Sequence, residues 1–202
     1  MRWLDAPEDG TSVCGGFDGS LTDDCTAIRL ETVEGFIFTP RYGPDRRPTI
    51  WNPAEWNGAI PRREVHAAWD ELNRRYRLER VYLDPPKWES EIETWATVYG
   101  IETFIPWATY RERQMHAALD RFTTDLATGL LKHDGCPITA THVANARKAA
   151  ARADRYILAK PSQHQKIDAA VTSVVCHEAA SDARAAGWTA EPVDNSVFVF
   201  RR

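Results

Sequence analysis

Apolar and polar positions change period several times along the chain, and each change marks an element. Ser12 to Phe17 is a small apolar run that stops at Asp18, and Asp18-Gly19-Ser20 reads as a turn. Ala27 to Val33 alternates and is rich in β-formers, Gly35 breaks it, and Phe36 to Tyr42 alternates again. This predicts three antiparallel strands in a meander. Residues 40–58 carry Pro40, Pro44, Pro48 and Pro53 and predict a long loop that includes Arg46, Arg47, Trp51 and Trp56. Pro61 stands at a helix start, and Val65, Trp69, Leu72 and Tyr76 follow on one apolar stripe. Val81 to Leu83 predicts a short buried strand ending at Asp84-Pro85-Pro86. Ile92, Trp95 and Val98 predict a helix closed by Gly100, and Ile101 to Ile105 predicts a strand. Met115, Leu119, Phe122 and Leu126 predict a long helix closed near Gly129. The alanine-rich stretch 138–155 predicts a helix with a basic face, and Tyr156 to Ala159 a last core strand. Residues 166–186 predict a helix with Ile167, Val171, Val174 and Val175 inside, and Asn195 to Phe200 an edge strand.

Three antiparallel strands followed by strand–helix alternation predict an α/β fold: a mixed sheet, antiparallel then parallel, with helices on both faces. Residues 1–11 are acidic and turn-like and read as a linker or cut end; residues 12–202 read as one domain. At 43% hydrophobic and 27% charged, the 202 residues have the make-up of an ordinary soluble domain. A net charge of −4 excludes a generically basic DNA coat but allows a local basic site. No apolar run approaches the ~20 residues of a membrane span, and no signal peptide leads the chain, so no membrane partner is expected. Cys14, Cys25, Cys136 and Cys176 are scattered and predict neither a zinc site nor a disulfide framework. Of the tryptophans, Trp69 and Trp95 fall on helical stripes and read as core. Trp51, Trp56, Trp88 and Trp107 lie in or beside loops, where they pack beneath the loop or stack on bases.

Candidate chemistry lies in carboxylates. Asp18 closes the first strand, Asp84 closes the fourth, and Asp168 sits in the first turn of the late helix, after the polar run Ser162 to Lys166. Taken singly, the first two also read as turn formers and the third as a helix-dipole residue. Together, three converging carboxylates repel one another unless a divalent cation sits among them, and hard oxygen ligands suit Mg²⁺ or Mn²⁺. Two such ions activate a water and stabilise the leaving oxygen of a phosphodiester.

Three blocks resemble the C-terminal nuclease domain of the large terminase subunit of tailed bacteriophages. They are Gly16-Phe17-Asp18-Gly19-Ser20 with Asp23, Asp24, Thr26 and Ala27; Val81-Tyr82-Leu83-Asp84-Pro85; and His164-Gln165-Lys166-Ile167-Asp168-Ala169-Ala170. The resemblance implies an RNase H-like fold and a two-metal endodeoxyribonuclease that cuts concatemeric viral DNA during genome packaging, in the host cytoplasm. It implies Asp18, Asp84 and Asp168 as catalytic metal ligands for two Mg²⁺ or Mn²⁺ ions, with Asp24, or its neighbour Asp23, beside them. His164, four residues before Asp168, would share a helix face with it and touch the scissile phosphate or a metal-bound water. Implied partners are double-stranded DNA, the terminase ATPase domain, the small terminase subunit and the portal. The chain has no G-x-x-x-x-G-K-[ST] loop and so does not contain the motor; it reads as an excised domain or a split-gene product.

DNA contacts fall to Arg147, Lys148, Arg152 and Arg155, expected on one helix face, to Lys166, and to Arg46 and Arg47 in the loop. Three rival readings remain, one of them a non-catalytic interaction module that has kept the fold, which only a broken triad would suggest. A resolvase or transposase would use the same three carboxylates on the same fold. An adenine DNA methyltransferase is suggested by Asp84-Pro85-Pro86, although Lys87 separates the prolines from the aromatic Trp88 that would stack on a flipped base.

Overall fold

A computed structural model describes residues 2–190. In chain order the elements are β1 (Ser12–Asp18), β2 (Thr26–Thr32), β3 (Phe36–Phe38), β4 (Arg41–Tyr42), β5 (Arg47–Pro48), β6 (Ile50–Trp51), a 3₁₀ turn (Pro53–Glu55) and α1 (Arg62–Arg75). Then come β7 (Arg77–Leu83), α2 (Glu89–Tyr99), β8 (Phe104–Pro106), α3 (Glu112–Thr128) and β9 (Lys132–His133). The chain continues with α4 (Pro137–Asn145), β10 (Arg147–Ala150), β11 (Tyr156–Ala159) and α5 (Asp168–Ala185). The main sheet runs β8-β7-β1-β2-β3-β9, with β6 also on β2. The β1–β2, β2–β3 and β2–β6 pairs are antiparallel; β1–β7, β7–β8 and β3–β9 are parallel. This is the expected mixed sheet.

Period-two alternation decides what each sheet face carries. Val13 and Phe17 of β1, with Val81 and Leu83 of β7, turn to α1 and α2, where Trp69, Trp88 and Trp95 pack edge-on or tilted around Phe17. Cys14 of β1 and Tyr82 of β7 turn the other way, to α3 and α5. The α5 helix crosses this second face closely because it is built of small residues, Ala169, Ala170, Ser173, Cys176, Ala179, Ala180 and Ala183. Gly16 completes the fit: a Cβ there would stand 2.5 Å from the Cys176 nitrogen and 2.7 Å from the Thr172 oxygen. Glu31 of β2, fully buried, is met by Nδ1 of His177 at 3.0 Å and by Arg184 at 2.9 Å, while Nε2 of His177 reaches Asp125 at 2.9 Å.

Several expectations are corrected. The stretch 138–155 is not one helix: α4 ends at Asn145, and Arg147–Ala150 pairs with Tyr156–Ala159 as a separate two-stranded hairpin. Its turn places Ala153 and Asp154 at positive φ, which no helix tolerates. Tyr156–Ala159 is therefore half-buried strand outside the main sheet rather than core strand. Ile101–Thr103 form a turn with Ile101 exposed, and the strand begins only at Phe104. The long loop contains β4, β5 and β6, and Trp51, Trp88 and Trp107 are buried. Trp3 donates to Asp134 at 3.1 Å and lies under Arg41, so the start of the described chain rests on the domain. All four cysteines are buried and unpaired. The edge strand expected at Asn195–Phe200 lies outside the described residues.

Candidate active site

Register brings the first two carboxylates together. Phe17 pairs with Leu83, so Asp18 and Asp84 follow side by side at the ends of parallel strands, with the Asp84 N–H on the Phe17 carbonyl at 3.0 Å. Each lies two residues beyond a position of the α5-facing set, Gly16 and Tyr82, so each belongs to that face. Gly16 lies under Thr172 and Cys176. One helical turn back from Thr172, about 5.4 Å along the axis, is Asp168; two strand residues on from Gly16, about 6.6 Å, is Asp18. Three segments far apart in sequence thus deliver three carboxylates to one end of one sheet face.

Their electrostatics bear out the crowding. Burial, then the charges of Asp168, Asp84 and Asp24, push the Asp18 carboxyl well above its ordinary value, against a hydrogen bond from the Gly19 backbone. Burial followed by Asp24 pushes Asp168 up to about 6, opposed by backbone N–H groups, including that of Cys25, and by Lys166. Asp168 is 8% exposed, and its Oδ2 is buried without a hydrogen-bond partner. Burial raises Asp84 as well; the Thr109 N–H and hydroxyl, at 2.8 and 2.9 Å, hold it down, and Glu89 adds repulsion. Among the described residues no group of three or more His, Cys, Asp or Glu side chains is gathered closely enough to hold a metal ion as it stands. Asp18 thus meets the charges of three neighbouring carboxylates, and Asp168 keeps one buried acceptor without a partner.

Asp24 has a different environment. Lys160 grips both its oxygens, at 2.6 and 2.8 Å, and Lys166 adds a contact at 3.1 Å. Burial opposes its charge, but these lysines outweigh it and hold the carboxyl below its ordinary value. Asp23 is exposed, and its carbonyl accepts from Lys166. His164 lies in an exposed turn, because α5 begins only at Asp168; the shared helix face expected for the two is therefore absent. Arg147, Lys148, Arg152 and Arg155 lie on the hairpin rather than on a helix; the Lys148 ammonium sits 3.9 Å from the Tyr156 ring centre. Arg46 and Arg47 lie exposed at the β4–β5 hairpin, Arg47 against Trp56.

Two supporting residues have no signature in the sequence. Thr109 follows β8 and satisfies both oxygens of Asp84. His142 of α4 accepts the Ala169 N–H through Nδ1 at 3.0 Å and so pins the first turn of α5. Trp88, just after Asp84-Pro85-Pro86, is fully buried, edge-on to Phe17, and donates to the Ser20 carbonyl at 3.1 Å. A Cβ at Gly19 would stand 2.4 Å from its indole, so Trp88 braces the loop after Asp18 and offers no face to a flipped base. That removes the structural basis of the methyltransferase reading.

No protein-family model matches the chain. It is 30% identical over 190 residues to the Gene 13 protein of Mycobacterium phage D29 and 28% identical over 185 residues to that of Mycobacterium phage L5. These matches cover 88% and 86% of this chain but 31% and 30% of those proteins, so the chain spans about a third of the curated relatives it matches. Among solved structures it resembles the large terminase nuclease of thermophilic phage G20c with bound magnesium, at TM-score 0.63 and 13% identity, over 88% of this chain and 90% of that one. The HK97 bacteriophage large terminase matches at TM-score 0.64 and 15% identity, over 87% of this chain and 40% of that one. The Thermus phage P74-26 large terminase nuclease domain matches at 0.62 and 13%, over 88% and 90%. The G20c nuclease has also been solved with bound cobalt and with bound zinc. At these identities the likeness carries the fold, which is RNase H-like.

Proposed function

We propose that this chain, which has the fold of bacteriophage large terminase nuclease domains, is a divalent-metal-dependent endodeoxyribonuclease that cuts concatemeric viral DNA during packaging. The observation that carries the reading is the placement of Asp18, Asp84 and Asp168 at one end of one sheet face, each raised above its ordinary value, with one buried oxygen of Asp168 left without a partner. Without a cation this arrangement is costly. Asp18, Asp84 and Asp168 would hold the ions, and oxygen ligands favour Mg²⁺ or Mn²⁺. When bound, a pair of such ions supplies Lewis-acid polarisation of the phosphodiester and lowers the pKa of a water.

The protein's own residues set the stage. Thr109 fixes the direction of Asp84, and His142 fixes the helix turn that carries Asp168. Lys160 and Lys166 keep Asp24 ionised and place two positive charges beside the carboxylates, where an incoming phosphate needs them. The exposed Arg152 and the half-buried Arg155 of the hairpin, with Arg46 and Arg47, extend that positive surface and give affinity without base preference. Double-stranded DNA is the substrate in this reading, and the ATPase motor, small terminase subunit and portal are its partners. The deciding experiment is plasmid cleavage by the purified chain with Mn²⁺, Mg²⁺ or EDTA, beside Asp84→Asn. Cutting should require metal and vanish in the variant while the melting temperature is kept. Undiminished cutting by Asp84→Asn, or cutting in EDTA, would sink the assignment. A strong preference for branched over linear DNA would favour the resolvase alternative.

A further inference from the structure

A cleft of about 400 Å³ opens beside the carboxylate cluster, between the β4–β6 region and α4. Three of its lining residues tie it to the site: Cys25, whose N–H acts on Asp168; Lys166, which binds Asp24; and His142, which holds the Ala169 N–H. Trp51 and Tyr42 also line it, and their polar atoms are already used. The Trp51 indole donates to the Tyr42 hydroxyl at 2.8 Å, and that hydroxyl donates to Glu64 at 2.9 Å, so both offer the cleft ring surface alone. Trp56 is half-buried, with the Arg47 guanidinium 5.1 Å from its ring centre. His142 is 5% exposed. Because its Nδ1 accepts a backbone N–H, its proton stands on Nε2, and that N–H is what the ring has left to offer.

The cleft therefore combines aromatic surface, two cationic side chains and neutral N–H donors from His142, Asn52 and Trp56, with Glu55 as its one acidic lining residue. Its volume falls within the usual range of small-ligand sites. A flat ring with acceptor atoms and a phosphate attached is the chemistry that complements this set. We propose that the cleft holds one unpaired nucleotide at a DNA end, its base against Trp56 and its phosphate toward Lys166 and Arg47. The proposal rests on the nuclease reading and deepens it: the cleft retains an end beside the place where ends are made. Unstacking a paired base costs a few kcal/mol, so an already unpaired base is the favoured occupant.

The test is DNA binding in EDTA, where cleavage is silent. Two duplexes of equal length are compared, one blunt and one with a two-nucleotide overhang carrying 2-aminopurine, in both polarities. Overhang DNA of one polarity should bind about tenfold more tightly than blunt DNA, the lower end of what base–aromatic stacking provides. Its 2-aminopurine emission should be quenched on binding, and both effects should disappear in Trp56→Leu. Arg47→Ala, at an exposed position, should weaken the overhang preference and serves if Trp56→Leu does not fold. Equal binding of blunt and overhang DNA, or a preference that survives both variants, overturns the proposal and leaves the nuclease reading standing. Failure to bind any DNA overturns both.

Discussion

Asp168→Asn should make the metal-free protein more stable. A carboxyl held near 6 rather than at 3.8 costs the folded state about 3 kcal/mol when ionised at neutral pH. The amide removes that charge but leaves a buried donor where Oδ2 had no partner, which costs about 1–2 kcal/mol. The balance is a gain of about 1–2 kcal/mol, or about 2–8 °C in melting temperature for a chain of this length. The pH dependence follows in sign. Between pH 4 and 6 the folded state holds more protons than the unfolded state, so this group lowers stability as pH rises. The advantage of the variant should be full at pH 7.5 and vanish below about pH 4. Thermal melts in EDTA at the two pH values measure it. Added Mn²⁺ should raise the melting temperature of the wild type and not of the variant, reversing their order. An Asp168→Asn protein less stable than wild type in EDTA at pH 7.5, or a gap of equal size at pH 4, would refute the repulsion argument.

Other outcomes follow from the same geometry. Gly16→Ala drives a Cβ into the α5 backbone and should cost about 1–3 kcal/mol; because α5 carries Asp168, cleavage should fall with it, and an unshifted melt would contradict the close packing. Thr109→Val removes the hydroxyl that orients Asp84 and should weaken metal-dependent cleavage about 10–100-fold with the fold intact, while Thr109→Ser restores it. His177→Gln strips buried Glu31 of a charged partner and should cost at least about 3 kcal/mol in urea unfolding. Burial and Arg184 oppose the His177 charge, but Glu31 and Asp125 raise it above 6.5, so its contribution is full below that pH and is lost as pH rises through the folded value; the wild type should weaken as pH rises above 6.5 and the variant should not.

The carboxylates are legible in the sequence because each ends a recognisable periodic run: Asp18 and Asp84 after apolar strands, Asp168 at the head of a long helix. What periodicity cannot express is a side chain acting from a loop. Thr109 and His142 enter the site through contacts 25 and 27 residues distant in sequence, with no local pattern to mark them. The hairpin after α4 is hidden by alanine, whose helix preference tertiary pairing with Tyr156–Ala159 overrides. The strand β9 is two exposed residues long and is defined only by its pairing with β3. His164 shows the reverse error: a four-residue spacing has meaning only if the helix already exists, and α5 starts at Asp168.

The distances along the chain between the three carboxylates also govern when the site comes into being. The parallel β1–β7 pairing closes a loop of about sixty residues, and the seating of α5 on Gly16 closes one of about a hundred and fifty. Contacts of such separation form late and together in folding. A nascent or misfolded chain therefore carries all three aspartates without bringing them together. On the nuclease reading proposed above, the cutting site would in this way be absent until the core has closed, by topology alone and without an inhibitor.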